Sequence, residues 1–303
     1  MDISTIKLLG EAAALTTAFC WSFTSIFFTI GGSRVGSVVV NRIRLIFALV
    51  LISLTHLVLF GSPFPFDAEP RRWLWLGLSA LLGFVLGDGM LFKAFVVIGP
   101  RISMLMMATV PIISTVLAWV FLDERLRAIE ITAILITLAG IMWVVADKHR
   151  DPLRKKGRQL AYGVLLGFGG AIGQATGLIA SKKGLEGDFP AISANLIRLF
   201  VGTVIMWGFA LLIGKARATL KNLKDIKATR AILGGAVCGP FLGVWLSLVA
   251  INLAPIGIAA TLMAMTPVIL IPLVHWIFKE RITTHTVLGT LLAVVGVSML
   301  VLL

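Results

Sequence analysis

Acid is scarce in this chain. Its 303 residues hold 14 Asp and Glu against 27 Lys and Arg, and only 14% are charged. There are two cysteines, four histidines and one tyrosine. Each shortage excludes something. Cys20 and Cys238 lie inside apolar runs, so they make no disulfide framework. His56, His149, His275 and His285 are too scattered for a metal site, and no metal or cofactor is expected. The absence of a GxxxxGK[ST] motif excludes ATP hydrolysis of the P-loop kind. The glycines of Leu165–Gly173 follow no strand, so a dinucleotide fold does not fit. Loops rich in Lys and Arg, but poor in Asp, Glu and His, lack the groups for acid–base chemistry. No catalytic residue is assigned.

What the chain has in excess is apolar surface. It is 58% hydrophobic, with a mean hydropathy of +1.01. A soluble domain is roughly half apolar and a quarter charged. The surplus cannot be hidden inside one globule of this length, so lipid must cover much of it. The net charge of +13 falls mainly in short loops between apolar runs, which fits membrane topology better than nucleic-acid binding. A span needs about 20 mostly apolar residues. Ten are expected, at about 9–30, 37–60, 73–98, 101–121, 128–146, 159–181, 190–214, 230–252, 256–278 and 284–303. The first is too long for the apolar core of a signal peptide and is read as a permanent span. Lipid forces helix, because an open chain there must satisfy its own backbone.

The chain repeats itself. At an offset of 156, Gly83–Gly87 falls on Gly239–Gly243, Met107-Ala108 on Met263-Ala264, Pro111 on Pro267, Glu124-Arg125 on Glu280-Arg281, and Gly140 on Gly296. At 154, Asn41–Leu45 falls on Asn195–Leu199. The fold class is therefore an all-α membrane protein, with ten transmembrane helices as two inverted five-helix repeats. The expected divisions are 1–147, a basic linker at 148–158, and 159–303. An odd number of spans per half inverts the second half, the arrangement of secondary transporters with a midplane site. Lys and Arg are heavily concentrated on the side of the 148–158 linker, which places that side in the cytoplasm and both termini outside.

These residues resemble the EamA-type family of the drug/metabolite transporter superfamily. The likeness rests on Trp21, Arg44, Pro111, the Glu-Arg pairs at 124–125 and 280–281, and Gly140 with Gly296. It implies a transporter in a cell membrane, such as a bacterial inner membrane, exporting small metabolites such as amino acids. The better-studied members are described with cytoplasmic termini, against the charge bias here. Relatives that exchange drugs for protons use a Glu in the first span. Glu11 is the match, although its place near the interface reads as a solvated acid.

Asp88 and Lys93 sit inside an apolar run, where a charge costs at least about 2.5 kcal/mol. Five residues apart, they lie about 140° apart on a helix and do not pair easily. Asp88 is either a cavity carboxylate that binds a cation or exchanges a proton, or the partner of Arg44, Arg198 or Lys93. Lys93 reads as structural, its stem reaching toward its helix end. Arg44 and Arg198, being repeat-equivalent, read as bracing; either could also grip a carboxylate. Pro111 and Pro267 fall inside spans and are read as kinks that pack or hinge. The small-residue line Gly167–Gly177 reads as helix packing. Gln174 within it, with Trp21, Asp88, Phe92, Trp245, Asn252 and Met263, is the candidate lining of a cavity. His275, at the position of Trp119, is a buried His or a proton-sensitive gate. Coupling or gating candidates are Asp88, Pro111, Pro267 and His275. The expected partners are a small-molecule substrate and the bilayer, without nucleic acid; the oligomeric state is left open, a monomer being one option. A lipid or lipid-linked-sugar translocator, or less readily a membrane-embedded enzyme, are the other readings.

Overall fold

The computed structural model describes residues 3–146, 157–278 and 283–302. Most of the expected 148–158 linker and the Glu280-Arg281 pair lie outside these residues. The described chain is helical throughout. Helix α1 spans Ile3–Val35 and α2 Ser37–Phe60; α3, Pro70–Ala80, runs through a wide turn at Leu81–Gly87 into α4, Asp88–Met107. Then come α5 (Val110–Leu122), α6 (Ala128–Ala146), α7 (Arg158–Leu185), α8 (Ala191–Leu212) and the short α9 (Ala216–Lys221). Helix α10, Ile226–Ala236, runs through a second wide turn at Val237–Gly243 into α11, Val244–Leu253. The chain ends with α12 (Ile256–Met263), α13 (Thr266–Phe278) and α14 (Thr284–Leu302). Among the described residues, seven helical stretches are long and apolar enough to cross a membrane, and three shorter apolar helices accompany them.

The two wide turns are π-helical, with i→i+5 bonding, and they sit 156 residues apart. Such turns insert a residue and leave a carbonyl without its usual partner. In each half an asparagine supplies that partner. Asn41 Nδ2 donates to Phe84 O (3.2 Å), and Asn195 Nδ2 donates to Pro240 O (2.9 Å). Pro240 brings no N–H of its own, so a wide turn suits it. Glycine permits the crossing at the first turn. A Cβ on Gly173 would lie 2.7 Å from Gly87 Cα and from Leu82 O, so α7 and the turn touch backbone to backbone. This is the contact that small-residue lines make possible in lipid.

The proline readings need correction. Pro111 and Pro267 do not kink the middle of a helix: each stands in the first turn of one, α5 and α13. The absent N–H would be unbonded there in any case, so proline fits at little cost. The breaks lie just before, at Ala108-Thr109 and at Ala264-Met265. The expected boundary at Gly99-Pro100 is absent, because α4 continues through it. Its counterpart does hold: Ala254 is extended (φ −135°, ψ 158°), as a residue before proline tends to be, and α12 starts afresh.

At the linker end, Asp225 caps α10. Its Oδ1 accepts from Ala228 N (3.1 Å), and Arg34 Nε, at the end of α1, donates to its Oδ2 (2.8 Å). The backbone bond first, then Arg34, hold this carboxyl below the usual aspartate range. Its contribution is therefore present above the unfolded value of about 4 and is lost as pH falls through the lower folded value. Asp225→Ala should lower the melting temperature at neutral pH. The gap to wild type should close in acid, and an equal gap at all pH values would contradict this assignment.

Candidate functional site

Both helix breaks open on one cavity. It is lined by Met107, Ala108 and Val110 from the first half, by Met263, Ala264, Thr266 and Pro267 from the second, and by Trp21, Gln174, Leu178 and Ala260. Its volume is about 60 Å³. A ligand pocket is usually several hundred Å³, whereas a water needs about 10–15 Å³, so this space has room for a few waters only. None of the lining side chains is ionisable. Polarity comes from the Gln174 amide, the Trp21 indole, the Thr266 hydroxyl and the helix ends themselves.

Helix α1 braces this region through its hydroxyls. Ser22 Oγ donates to Thr266 O (3.1 Å) at the second break, and Thr17 Oγ1 to Gly243 O (3.3 Å) at the second wide turn. Trp21 lies so close to that turn that a Cβ on Gly243 would stand 2.7 Å from its Nε1.

Of the candidate lining residues, Trp21, Gln174 and Met263 meet at this cavity, joined by the gating candidate Pro267. The rest do not. Phe92 is buried beside Phe28, their centroids 5.8 Å apart. Trp245 packs beside Phe241 at 6.2 Å, against a separate core around Leu45 and Leu196. Asn252 is exposed in the last turn of α11, so the expectation that it faces a cavity is corrected. Pro111 is buried one residue beyond the lining residue Val110. The side chain of His275 lies outside the described residues. Met107, Ala108, Val110, Leu178, Ala260, Ala264 and Thr266 are lining residues that the sequence did not single out as such, although Met107-Ala108 and Met263-Ala264 stand out as a repeated pair.

Asp88 is taken by Arg44. Buried Arg44 and half-buried Asp88 form an ion pair, and Arg44 Nε also donates to Asn41 Oδ1 (2.9 Å). The Arg44 guanidinium is caged by aromatic rings, lying 4.9 Å from the Phe92 centroid, 5.6 Å from Phe28 and 5.8 Å from Phe84. This is the structural alternative for Asp88. Lys93 is exposed, with Nζ 5.5 Å from the Tyr162 ring centroid. Arg198 is buried, with Cζ 4.6 Å from the same Phe84 ring. Neither arginine is a helix-end anchor; both are interior. Glu11 also overturns its expectation: it is 1% exposed, with Lys7 Nζ at 3.7 Å, because α1 begins well before it.

At the end of the molecule carrying Lys7, Glu124 joins the halves. It pairs with Lys182 of α7, and its Oε2 accepts from Ile256 N (2.8 Å) at the start of α12. A carboxylate suits a helix N-terminus. Beside it, an apolar cleft of about 480 Å³ runs between α5 and α6, lined by Val116, Trp119, Ile131 and Leu135 with Glu124 and Arg125.

The comparisons with known proteins follow the same lines. The model of the EamA-like transporter family matches twice, over residues 8–146 and 161–302. No curated protein matches the sequence. Among solved structures, one crystal structure superposes with a TM-score of 0.74 over 96% of this chain and 95% of the other, at 14% identity, which speaks to fold alone. Two family-model matches, the repeated wide turns and breaks, and the apolar helices together place this chain in the EamA-like transporter family, as a multi-pass membrane protein of the drug/metabolite transporter superfamily.

Proposed function

We propose that the chain is a secondary transporter that moves small amphipathic metabolites, such as amino acids, by alternating access of two inverted halves. One observation carries this reading: the two repeat-related helix breaks meet in a single cavity. Discontinuous helices at the interface of two repeats are how transporters present backbone groups to a substrate. A mainly apolar lining with an amide, an indole and a hydroxyl suits a molecule with an apolar body and a polar head. At its present volume the cavity is too small for such a molecule, and substrate entry requires the halves to move. In this reading the three shorter apolar helices complete ten spans, divided at 1–147, the linker and 159–303. The linker faces the cytoplasm, both termini lie outside a bacterial inner membrane, and flux is outward, downhill or proton-coupled.

The test is a thermal-stability screen of the purified protein against amino acids, nucleosides, polyamines and nucleotide sugars. A ligand at a hundred times its Kd stabilises by about 2.7 kcal/mol. Amino acids should raise the melting temperature of wild type and not of Ala264→Phe, which fills the cavity. An equal rise in both proteins would rule the cavity out. The cleft between α5 and α6 favours a second reading, translocation of a lipid or lipid-linked sugar; stabilisation by such lipids alone would select it.

A further inference from the structure

The two halves carry the same asparagine–arginine pair in different states. In the first half the pair is closed: Arg44 Nε donates to Asn41 Oδ1 (2.9 Å), and Asp88 holds the guanidinium. In the second half it is open. Asn195 Oδ1 and Arg198 Nε are both buried without a hydrogen-bond partner. Yet Asn195 is anchored as Asn41 is, its Nδ2 on the carbonyl of the wide turn. Two complementary orphans three residues apart on one helix are costly to leave unmade. Instead of meeting Asn195, Arg198 reaches across to the first half. There its guanidinium lies over Phe84, and a Cβ on Gly83 would stand 3.5 Å from its Nη2. The Asp88 carboxylate acts electrostatically on it as well. Phe84 thus touches both repeat-equivalent arginines. Among the described residues, Asp88 is the one carboxylate that acts on either arginine, and the position 156 residues after it is Val244.

We propose that Asp88 is a shared latch between the repeats. In the state seen here it is bound to Arg44. In the state of opposite access, Arg198 closes on Asn195 Oδ1 and takes Asp88, while Arg44 is released onto the aromatic rings. The exchange rests on the alternating-access reading above. In inverted-repeat transporters one repeat rocks or gates against the other around a fixed site, and in this proposal the two matched pairs exchange states in that motion. An asymmetry between matched pairs marks one repeat in each conformation. The single carboxylate makes the two closed pairs mutually exclusive, so an intermediate with both halves locked is disfavoured.

The test measures distances by pulsed electron paramagnetic resonance in nanodiscs, with Cys20 and Cys238 replaced by alanine. One spin-label pair, Ser33→Cys with Lys221→Cys, reports on the linker end. The other, Asp67→Cys with Asp188→Cys, reports on the opposite end. Asn41→Ala and Asn195→Ala each remove the anchor on a wide turn, Asn195 from both Pro240 O (2.9 Å) and Phe241 O (3.4 Å), but only the first breaks a closed pair. Asn41→Ala should enrich the minor distance population about tenfold, and Asn195→Ala should deplete it by a similar factor. The exchange variant Asp88→Val with Val244→Asp should make the minor population the major one. If wild type shows two populations and the asparagine variants shift them in the same direction, or not at all, the latch is wrong and alternating access stands. A single population at both ends in every protein would overturn both. The asparagine pair decides the matter even if the exchange variant fails to fold.

Discussion

Asp88→Asn is expected to destabilise the protein by about 3 kcal/mol or more, seen as a fall in the unfolding midpoint in detergent. The cause is the partner left behind. Arg44 is buried, and removing one member of a buried pair leaves an uncompensated charge, at a cost of about 3–5 kcal/mol. Asp88, with its side chain 18% exposed, keeps this toward the lower end. The rings around the guanidinium recover a part. Replacing both residues at once, Arg44→Met with Asp88→Leu, should restore most of the loss, because apolar groups of similar size can substitute for a buried pair. If Asp88→Asn left the midpoint unchanged, the carboxylate would not be holding Arg44. A loss of pH-driven transport in Asp88→Asn speaks for a coupling role only when measured against the rescued double variant.

The second large effect is expected at the seam between α6 and α14. A Cβ on Gly140 would collide with Ala293 N and stand 2.7 Å from Gly289 O and 2.8 Å from Ala293 Cα, all of it backbone. The reciprocal contact is as tight: a Cβ on Gly296 would lie 2.6 Å from Thr137 N and 2.8 Å from Ala133 O. Backbone cannot turn aside as a side chain can, so the helices must separate. Overpacking costs about 1–3 kcal/mol for small additions, and Gly140→Ala should reach the upper part of that range. Gly140→Leu should prevent recovery of folded protein. Gly208→Ala is the control: nothing lies within 4 Å of the added carbon, and the midpoint should hold or rise slightly. Equal effects at Gly140 and Gly208 would mean that α6 and α14 are not in contact.

The family was legible before the structure because its signature is local and repeated. Met107-Ala108 with Met263-Ala264, and Pro111 with Pro267, marked the two breaks, although proline was read as a kink and not as the first turn of a new helix. The Asn41–Arg44 and Asn195–Arg198 repeats were visible, but not the carbonyl that each asparagine serves, since a π-helical turn has no spacing signal in an apolar run. Asn252 and Trp245 were placed in the cavity only because polar and aromatic groups in a span need some environment. Glu11 was read as solvated from its position near the chain's start, whereas α1 begins at Ile3 and carries it inside.

Composition and repeats are enough for the solvent, the secondary structure and the two-part layout: apolar excess demands lipid, lipid demands helix, and an offset of 156 demands two like halves. The tertiary structure alone decided which faces turn inward. In a membrane the core and the surroundings are equally apolar, so hydrophobic pattern does not mark the buried face. Asp88 had three possible cationic partners along the chain, and only packing chose Arg44 and set Arg198 over Phe84.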